Sequence, residues 1–350
     1  MAGERRTRRR QRRGGLAVAA GLALLVLAPG PAAAAKSSLS VRDYRIPDAS
    51  PSELVVGPGN GIWFTDVEGS ANEHNGIYLY GPIRRIRPSG EIQTYAQTEQ
   101  YEPYGLTEGS DGNIWFTSRE LNQIGRLTPS GQVTMFGGLS LPTSATYIAQ
   151  TGGSTGWPQE IVQGPDQAVW FTEFAAGKIG RMTPDGQLTE VDLGSESSPM
   201  GIDAGPDGNL WVTASEGVWR ITPEGVTTLF RRSSVGMSVS ADRRGVWVPS
   251  RGKSRLIGSD GSVIRSVRAY GWGAAVDGDG RLWANDQWCC YDDRAHDIFV
   301  GKRNGKVLHL EIGQESLDRV ATGNHTVAVR GKRVWMTDPT GFVHALKLQR

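Results

Sequence analysis

The chain has 350 residues, of which 38% are hydrophobic and 21% charged, and its formal net charge is +2 at pH 7. Residues 1–35 hold seven of the 38 basic residues and one of the 36 acidic ones, so residues 36–350 carry 31 basic and 35 acidic side chains, about −4. No basic stripe remains to neutralise phosphates, which argues against a nucleic acid as partner.

The first segment is built like a secretory signal peptide. A dense arginine run from Arg5 to Arg13 precedes an apolar stretch, Gly15 to Ala28. That stretch is too short for a stable membrane anchor. Small residues follow it, as at a cleavage site. We therefore predict cleavage near Ala34 or Ala35, a secreted or extracytoplasmic mature chain, and no stable membrane span after cleavage; a retained anchor is the alternative.

A tryptophan motif recurs seven times along the rest of the chain, as in GPDGNLWVTA, which ends at Ala214. Repetition at a few tens of residues predicts a repeat architecture. Each copy has a tight Asp-Gly or Gly-Asn turn followed by an alternating strand, which is typical of a β-hairpin. Because such periodic apolar positions are normally core, we predict that these side chains pack between neighbouring repeats. The tryptophans are Trp63, Trp115, Trp170, Trp211, Trp247, Trp283 and Trp335.

One complete repeat, Pro103 to Phe136, contains four short strands separated by turns. Four antiparallel strands per repeat make a propeller blade. The seventh repeat ends at the C-terminus without a fourth strand, whereas Ser40 to Pro47 resembles the fourth strand of other repeats. We therefore predict an all-β, seven-bladed β-propeller over residues 36–350, a single domain, in which the N-terminal strand pairs with Phe342 to Leu348 and closes the ring.

The length variation among the repeats is confined to two kinds of loop, those after strand two and those between blades. In an up-and-down blade both kinds lie on one face of the disc. Long loops on a rigid scaffold usually carry function. The four insertions that define this loop-rich face are residues 67–82, 137–157, 287–297 and 313–324.

Polar residues recur where strand two ends at that face. Four of the seven exits are carboxylates: Asp66, Glu173, Asp286 and Asp338. Oxygen ligands of this kind suit Mg²⁺, with Ca²⁺ as the alternative. Solvated side chains, or hydrogen bonds to adjacent backbone, would explain the same residues.

The residues that begin strand one, and the aromatic residues of the insertions, point to a ligand site on the same face. Aromatic side chains beside a few carboxylates suit an amphipathic small molecule, peptide or glycan. His325 is the histidine at such a strand-one position. The residues we assign to substrate binding are Tyr104, Gln159, Trp272, Trp288 and Asn324.

The repeats resemble those of the virginiamycin B lyase (streptogramin lyase) family. The matching segments are PYGLTEGSDGNIWFTS, PQEIVQGPDQAVWFTEFAAGKIGRMTPDG and PMGIDAGPDGNLWVTA. The resemblance implies a seven-bladed propeller and a Mg²⁺-dependent elimination that opens a cyclic depsipeptide at its ester. It places the working histidine at His325 and its acidic partner at Asp338. In the preceding blade Trp272 and Asp286 stand where the family has histidine and glutamate.

Two functions follow from these residues. The first is a metal-dependent lyase, in which His325 acts as general base or acid on a cyclic ester. The second is a non-catalytic secreted propeller that binds a peptide, a glycan or a cell-surface ligand through the loop-rich face. Trp272 favours the second function, whereas His325 and the four carboxylates favour the first.

Overall fold

The computed structural model describes residues 39–68, 79–151, 153–231, 238–249, 253–268, 274–286, 297–301, 307–311, 327–338 and 341–348. Its strands form seven antiparallel sheets of four principal strands each. The chain is thus a seven-bladed β-propeller, as the repeats predict. The predicted signal segment lies outside the described residues, and none of the described helices is long and apolar enough to cross a membrane.

The N-terminal strand and the first three blades contain fourteen strands. The N-terminal strand is β1 (Leu39–Arg45). Blade 1 contains β2 (Pro51–Gly57), β3 (Gly61–Glu68), β4 (Leu79–Tyr80), β5 (Ile83–Ile86) and β6 (Ile92–Tyr95). Blade 2 contains β7 (Pro103–Glu108), β8 (Ile114–Ser118), β9 (Gln123–Leu127) and β10 (Val133–Phe136). Blade 3 contains β11 (Pro158–Gln163), β12 (Val169–Glu173), β13 (Lys178–Met182) and β14 (Leu188–Asp192).

The last four blades contain the remaining strands. Blade 4 contains β15 (Ile202–Ala204), β16 (Leu210–Ala214), β17 (Gly217–Ile221) and β18 (Thr227–Arg231). Blade 5 contains β19 (Ser240–Asp242), β20 (Gly245–Val248), β21 (Ser254–Ile257) and β22 (Val263–Val267). Blade 6 contains β23 (Ala274–Val276), β24 (Leu282–Asp286), β25 (Asp297–Gly301) and β26 (Val307–Glu311). Blade 7 contains β27 (Val327–Arg330), β28 (Arg333–Asp338) and β29 (Phe342–Leu348).

Three short helical segments lie between the strands of the first three blades. Two are 3₁₀ turns, Pro58–Asn60 and Ala96–Tyr101. The third is α1 (Ala145–Thr151), which lies in the insertion between β10 and β11.

The ring closes through the two ends of the chain. β1 pairs antiparallel with β29, from Leu39 opposite Leu348 to Arg45 opposite Phe342, and so supplies the fourth strand of blade 7. This confirms the predicted closure and removes a sheet edge that would otherwise be open. The innermost strands, β2, β7, β11, β15, β19, β23 and β27, contact one another in this order, and β27 contacts β2.

The repeat tryptophans are structural, as predicted. All seven are buried, and each belongs to an apolar cluster shared with the next blade around the ring. Trp115 of blade 2, for example, clusters with Phe171 and Met182 of blade 3. Burying so large a side chain stabilises the contact by about 2–3 kcal/mol. The propeller is therefore held together chiefly between blades.

In blades 2 to 6 an aspartate that precedes the tryptophan strand also accepts a hydrogen bond from the indole. Asp111 Oδ1 accepts a hydrogen bond from Nε1 of Trp115 at 3.1 Å, and Asp166 accepts one from Trp170 at 2.9 Å. In blade 1 the equivalent residue is Gly59, and the Trp63 indole nitrogen has no partner among the described residues. The aspartates of the turns thus do more than shape the turn, because they satisfy a buried donor.

Candidate functional site

Threonines near the end of strand two in blades 1 to 3 fix the start of strand one in adjacent blades. Thr65 accepts a hydrogen bond from the backbone N–H of Glu53 in its own blade and donates one to the carbonyl oxygen of Tyr104 in the next, both at 3.1 Å. Thr117 does the same between Gly105, at 2.8 Å, and Gln159, at 2.7 Å. Each threonine therefore joins two blades at the mouth of the channel.

The same bonds recur in blade 3 and place the next candidate residues. Thr172 accepts from the N–H of Glu160 at 3.1 Å and donates to the carbonyl oxygen of Met200 at 3.0 Å. The sequence analysis missed this role, although the threonine that follows each W-F pair was the signal for it. Tyr104 and Gln159, two of the predicted ligand-binding residues, are consequently held at equivalent half-buried positions on adjacent blades.

Asp66, a predicted metal ligand, is instead an ion-pair partner inside blade 1. Its side chain is fully buried, and Oδ2 lies 2.8 Å from Nη2 and 2.9 Å from Nε of Arg84. Its Oδ1 accepts a 2.7 Å hydrogen bond from the backbone N–H of Ser50. A carboxylate committed to a guanidinium and a backbone donor fits a structural role better than a metal site.

Glu173, the second described carboxylate of the predicted metal set, is also fully buried. Neither of its carboxylate oxygens has a hydrogen-bond partner among the described residues. Burial and the neighbouring Glu190 carboxylate raise the pKa of Glu173 well above its ordinary value. Burial disfavours the ionised form that Mg²⁺ would need, so Glu173 as placed is a poor fit for the ion.

Glu190 and Lys178, next to Glu173, fasten the long insertion to blade 3. Lys178 Nζ lies 2.9 Å from Oε2 of Glu190 and donates to Ser140 Oγ at 2.7 Å. The backbone N–H of Ser140 donates to Oε1 of Glu190 at 2.8 Å. Because Ser140 is part of the insertion between β10 and β11, this pair anchors the start of the insertion at the loop-rich face.

The structure describes the other predicted site residues only in part. Asp286 and Asp338 end β24 and β28, opposite Asp297 and Phe342, but their side chains are outside the description. The four residues that lie outside the described residues altogether are Trp272, Trp288, Asn324 and His325. Among the residues that are described, no three histidine, cysteine, aspartate or glutamate side chains are grouped so that they could hold a metal ion.

Glu53 and Glu160 form a pair of carboxyls that the sequence analysis missed. They are the third residues of β2 and β11, the strands that flank β7, and β7 has Gly105 at that position. Burial, and then the charge of Glu53, raise the pKa of Glu160 well above its ordinary value. Burial and these two glutamates likewise raise the pKa of Tyr104. The second, fourth and sixth repeats have glycine at this position, so the two glutamates were the available signal.

Aromatic residues surround Arg119 at the mouth of blades 1 to 3. The guanidinium carbon of Arg119 lies 4.3 Å from the ring centre of Trp157 and 5.6 Å from that of Tyr104. Tyr80 packs edge-on against Tyr104, with ring centres 6.2 Å apart. Burial, partly offset by Arg119, raises the pKa of Tyr80 to about 12. These contacts place the Arg119 cation between aromatic rings on the loop-rich face of blades 1 to 3.

Hydrogen bonds at the end of the insertion between β10 and β11 hold Trp157 beside Arg119. Thr155 Oγ1 donates to the carbonyl oxygen of Arg119 at 2.6 Å, and the N–H of Gly156 donates to Asn122 Oδ1 at 2.9 Å. The carbonyl oxygen of Trp157 then accepts from the N–H of Phe174 at 3.0 Å. Every one of these bonds joins the insertion to a loop after strand two, so the mouth of blades 2 and 3 is a single hydrogen-bonded unit.

The fold and this mouth define a seven-bladed propeller with a polar and aromatic loop face. The model of the virginiamycin B lyase family matches residues 30–284, more than half of the chain, and the protein belongs to that family. The matched segment stops before Asp286, His325 and Asp338.

Individual relatives support the same assignment. Virginiamycin B lyase of Nocardia farcinica is 34% identical over 128 residues, which span 36% of this chain and 39% of that protein. The crystal structure of virginiamycin B lyase from Staphylococcus aureus is similar with a TM-score of 0.67 at 22% identity, covering 89% of this chain and all of that one. A streptogramin B lyase structure also gives 0.67, at 20% identity, covering 89% and 98%. At such identities the two structures establish the fold alone.

Proposed function

We propose that the protein is an exported lyase that opens a cyclic ester or depsipeptide bound at the loop-rich face. The observation that carries this proposal is the family match over residues 30–284, together with His325 at the strand-one position of blade 7. In the reaction His325 takes the proton from the carbon next to a carbonyl. That electron pair forms a double bond as the alkyl C–O bond of the ester breaks, and the carboxylate leaves.

Asp338 ends strand two of the same blade, where it would orient His325. An imidazole titrates near neutral pH, so it can accept the proton without a large shift of its pKa. The Mg²⁺ ion that the family resemblance implies would therefore depend on Asp286 and Asp338, since Asp66 is paired with Arg84 and burial raises the pKa of Glu173.

His325→Ala tests the chemistry on a panel of cyclic depsipeptides and lactones, with products read by mass spectrometry. We expect ring opening by the unmodified protein, seen as an unsaturated linear product of unchanged mass, and its loss in the variant. His74→Ala is the matched control, because His74 lies in an insertion away from the repeat positions. Equal turnover by the His325 variant would exclude this residue as the base.

The second candidate function is a binding propeller without chemistry. It is favoured by Trp272, which stands where the resemblance places a second histidine, and by the ordered aromatic mouth around Arg119. Saturable binding of a cyclic peptide with no change of covalent structure, in the parent and the His325 variant alike, would make this the better description.

A further inference from the structure

The Arg119 cluster, defined here as Tyr80, Glu102, Tyr104, Arg119 and Trp157, contains polar atoms that have no hydrogen-bond partner in the part of the chain that the structure describes. Arg119 Nε, Trp157 Nε1 and Glu102 Oε2 are shielded from solvent and make no hydrogen bond to any described residue. The nearest carboxylate contact of Arg119 Nε is Glu120 Oε1 at 3.8 Å, beyond hydrogen-bonding distance. Each orphaned atom costs about 1–3 kcal/mol, so a ligand that satisfied them would bind with a matching gain.

The backbone of the cluster is held in an unfavourable conformation at two equivalent points. Glu102 has φ 48° and Trp157 has φ 54°, in the left-handed region, and each directly precedes the proline that begins strand one of its blade. A side chain with a Cβ is disfavoured there, and the following proline disfavours it further. Such strain costs on the order of 1–3 kcal/mol per residue, and where it persists it marks ligand clamps and active sites.

The unpaired atoms indicate which chemical groups a ligand at this cluster would need. Arg119 and Trp157 offer N–H donors, whereas Glu102 offers a carboxylate acceptor. A ligand group must therefore accept and donate at neighbouring atoms. The carbonyl and N–H of an amide do both. An ester has only the acceptor, and would leave Glu102 unsatisfied.

The aromatic rings favour a peptide over a sugar as the source of that group. Sugars bind by laying a C–H face on an open aromatic ring, but Trp157 is already stacked by Arg119 and packed by Phe174, with ring centres 6.1 Å apart. The side chain of Arg119 keeps 19% of its surface exposed, so solvent reaches the cluster along the guanidinium.

We propose that the Arg119 cluster binds an amide group of a peptide ligand, with the ligand carbonyl accepting from Arg119 and Trp157 and the ligand N–H donating to Glu102. This inference rests on the proposed function, because it uses the same face of the propeller. It deepens that function by selecting peptides and by placing their recognition on residues of blades 1 to 3.

Two small probes test the complementarity on the parent protein. N-methylacetamide has the amide N–H, and methyl acetate, the ester of the same shape, lacks it. Binding is followed through the indole N–H signals of ¹⁵N-tryptophan-labelled protein. We expect the amide to shift the Trp157 signal, identified by its loss in Trp157→Phe, and to bind about tenfold more tightly than the ester, as the loss of one hydrogen bond predicts.

Variants then locate the effect. Arg119→Met should weaken amide binding about tenfold. Arg126→Met is the control, because Arg126 also stacks on a tryptophan, 5.4 Å from the Trp115 ring centre, but outside the cluster. If Arg119→Met fails to fold, the comparison of amide and ester on the parent protein decides alone.

Three outcomes would overturn the proposal. They are equal affinity for amide and ester, a shift of other indoles without Trp157, and binding of α-cyclodextrin in place of either probe. The result of this binding test is independent of whether the protein opens a cyclic ester. Amide binding without turnover would refute only the lyase, whereas turnover of a depsipeptide that is equal in the parent and Arg119→Met would refute only this site.

Discussion

Asp43 and His344 join the first and last strands of the chain: Oδ1 of Asp43 lies 2.8 Å from Nδ1 of His344, although the two residues are 301 positions apart. Ile46, just beyond β1, is buried in the cluster that blade 7 shares with blade 1. The N-terminal strand therefore contributes side chains as well as backbone pairing to the closed ring.

Removal of residues 36–48 should lower the melting temperature by about 10 °C, because it deletes β1 and the buried Ile46, at roughly 2 °C per kcal/mol lost in a domain of this size. Thermal denaturation followed by circular dichroism measures it. Removal of residues 36–38 is the control and should leave the melt unchanged. A melt that is the same for both truncations would contradict closure by this strand.

Thr117→Val should destabilise the protein by about 1–3 kcal/mol while preserving the shape of the side chain. The substitution leaves the N–H of Gly105 and the carbonyl oxygen of Gln159 without their shared partner. Thr134→Val, at an exposed position of the neighbouring outer strand, is the matched control. Urea denaturation of the two variants compares them, and an equal free energy of unfolding would show that the hydrogen bonds of Thr117 have no stabilising role.

Asp203 should make stability fall as pH rises through its titration range. Burial raises the pKa of Asp203 from 3.8 to about 6, against hydrogen bonds from the N–H groups of Ala241 and Ala204. The folded state then holds a proton that the unfolded state loses at lower pH. The contribution of Asp203 is complete below pH 3.8, decreases up to about pH 6 and stays constant above it.

Thermal melts between pH 3 and pH 8 should show this slope in the parent and lack it in Asp203→Asn. Glu190→Gln provides a control of opposite sign. Although burial opposes ionisation, hydrogen bonds from Ser140 and Lys178 lower the pKa of Glu190, so its contribution is present at neutral pH and lost as the solution is acidified. A parent protein whose stability rises steadily from pH 4 to pH 6 with the same slope in Asp203→Asn would contradict the assignment.

We expect divalent-ion binding to depend on Asp286 and Asp338 and not on Asp66. Calorimetry of chelator-treated protein with Mg²⁺ and Ca²⁺ should give a heat that both Asp286→Asn and Asp338→Asn abolish. Asp66→Asn should keep the heat but lower the melting temperature, since Arg84 loses its buried partner. No heat and no thermal shift with either ion would exclude the metal.

The tryptophan repeats were sufficient to predict the blades, because alternation and turn chemistry act over a few residues. The closing strand was also predictable, since the last repeat visibly lacks a partner that the N-terminus supplies. The positions of Trp63 and its six equivalents in the core followed from their period.

The side chains at the mouth were harder to predict because their partners come from distant parts of the chain. Asp66 meets Arg84 across an insertion, and that pairing depends on how strand three follows strand two. The positive φ of Trp157 opposes both its own preference and that imposed by Pro158, so only the surrounding hydrogen bonds explain it. Local sequence rules fail at such positions, which is where function is expected.

The pairing of β1 with β29 also determines the order in which the molecule can mature. β1 is synthesised before the strands of all seven blades, whereas its partner β29 is synthesised after those of the first six. Until the final residues arrive, both strands present unpaired backbone edges on which another chain could add. Closure across 301 residues is a late, non-local step. Synthesis that stops before Phe342 thus yields an incomplete ring with exposed edges, a substrate for proteases and chaperones.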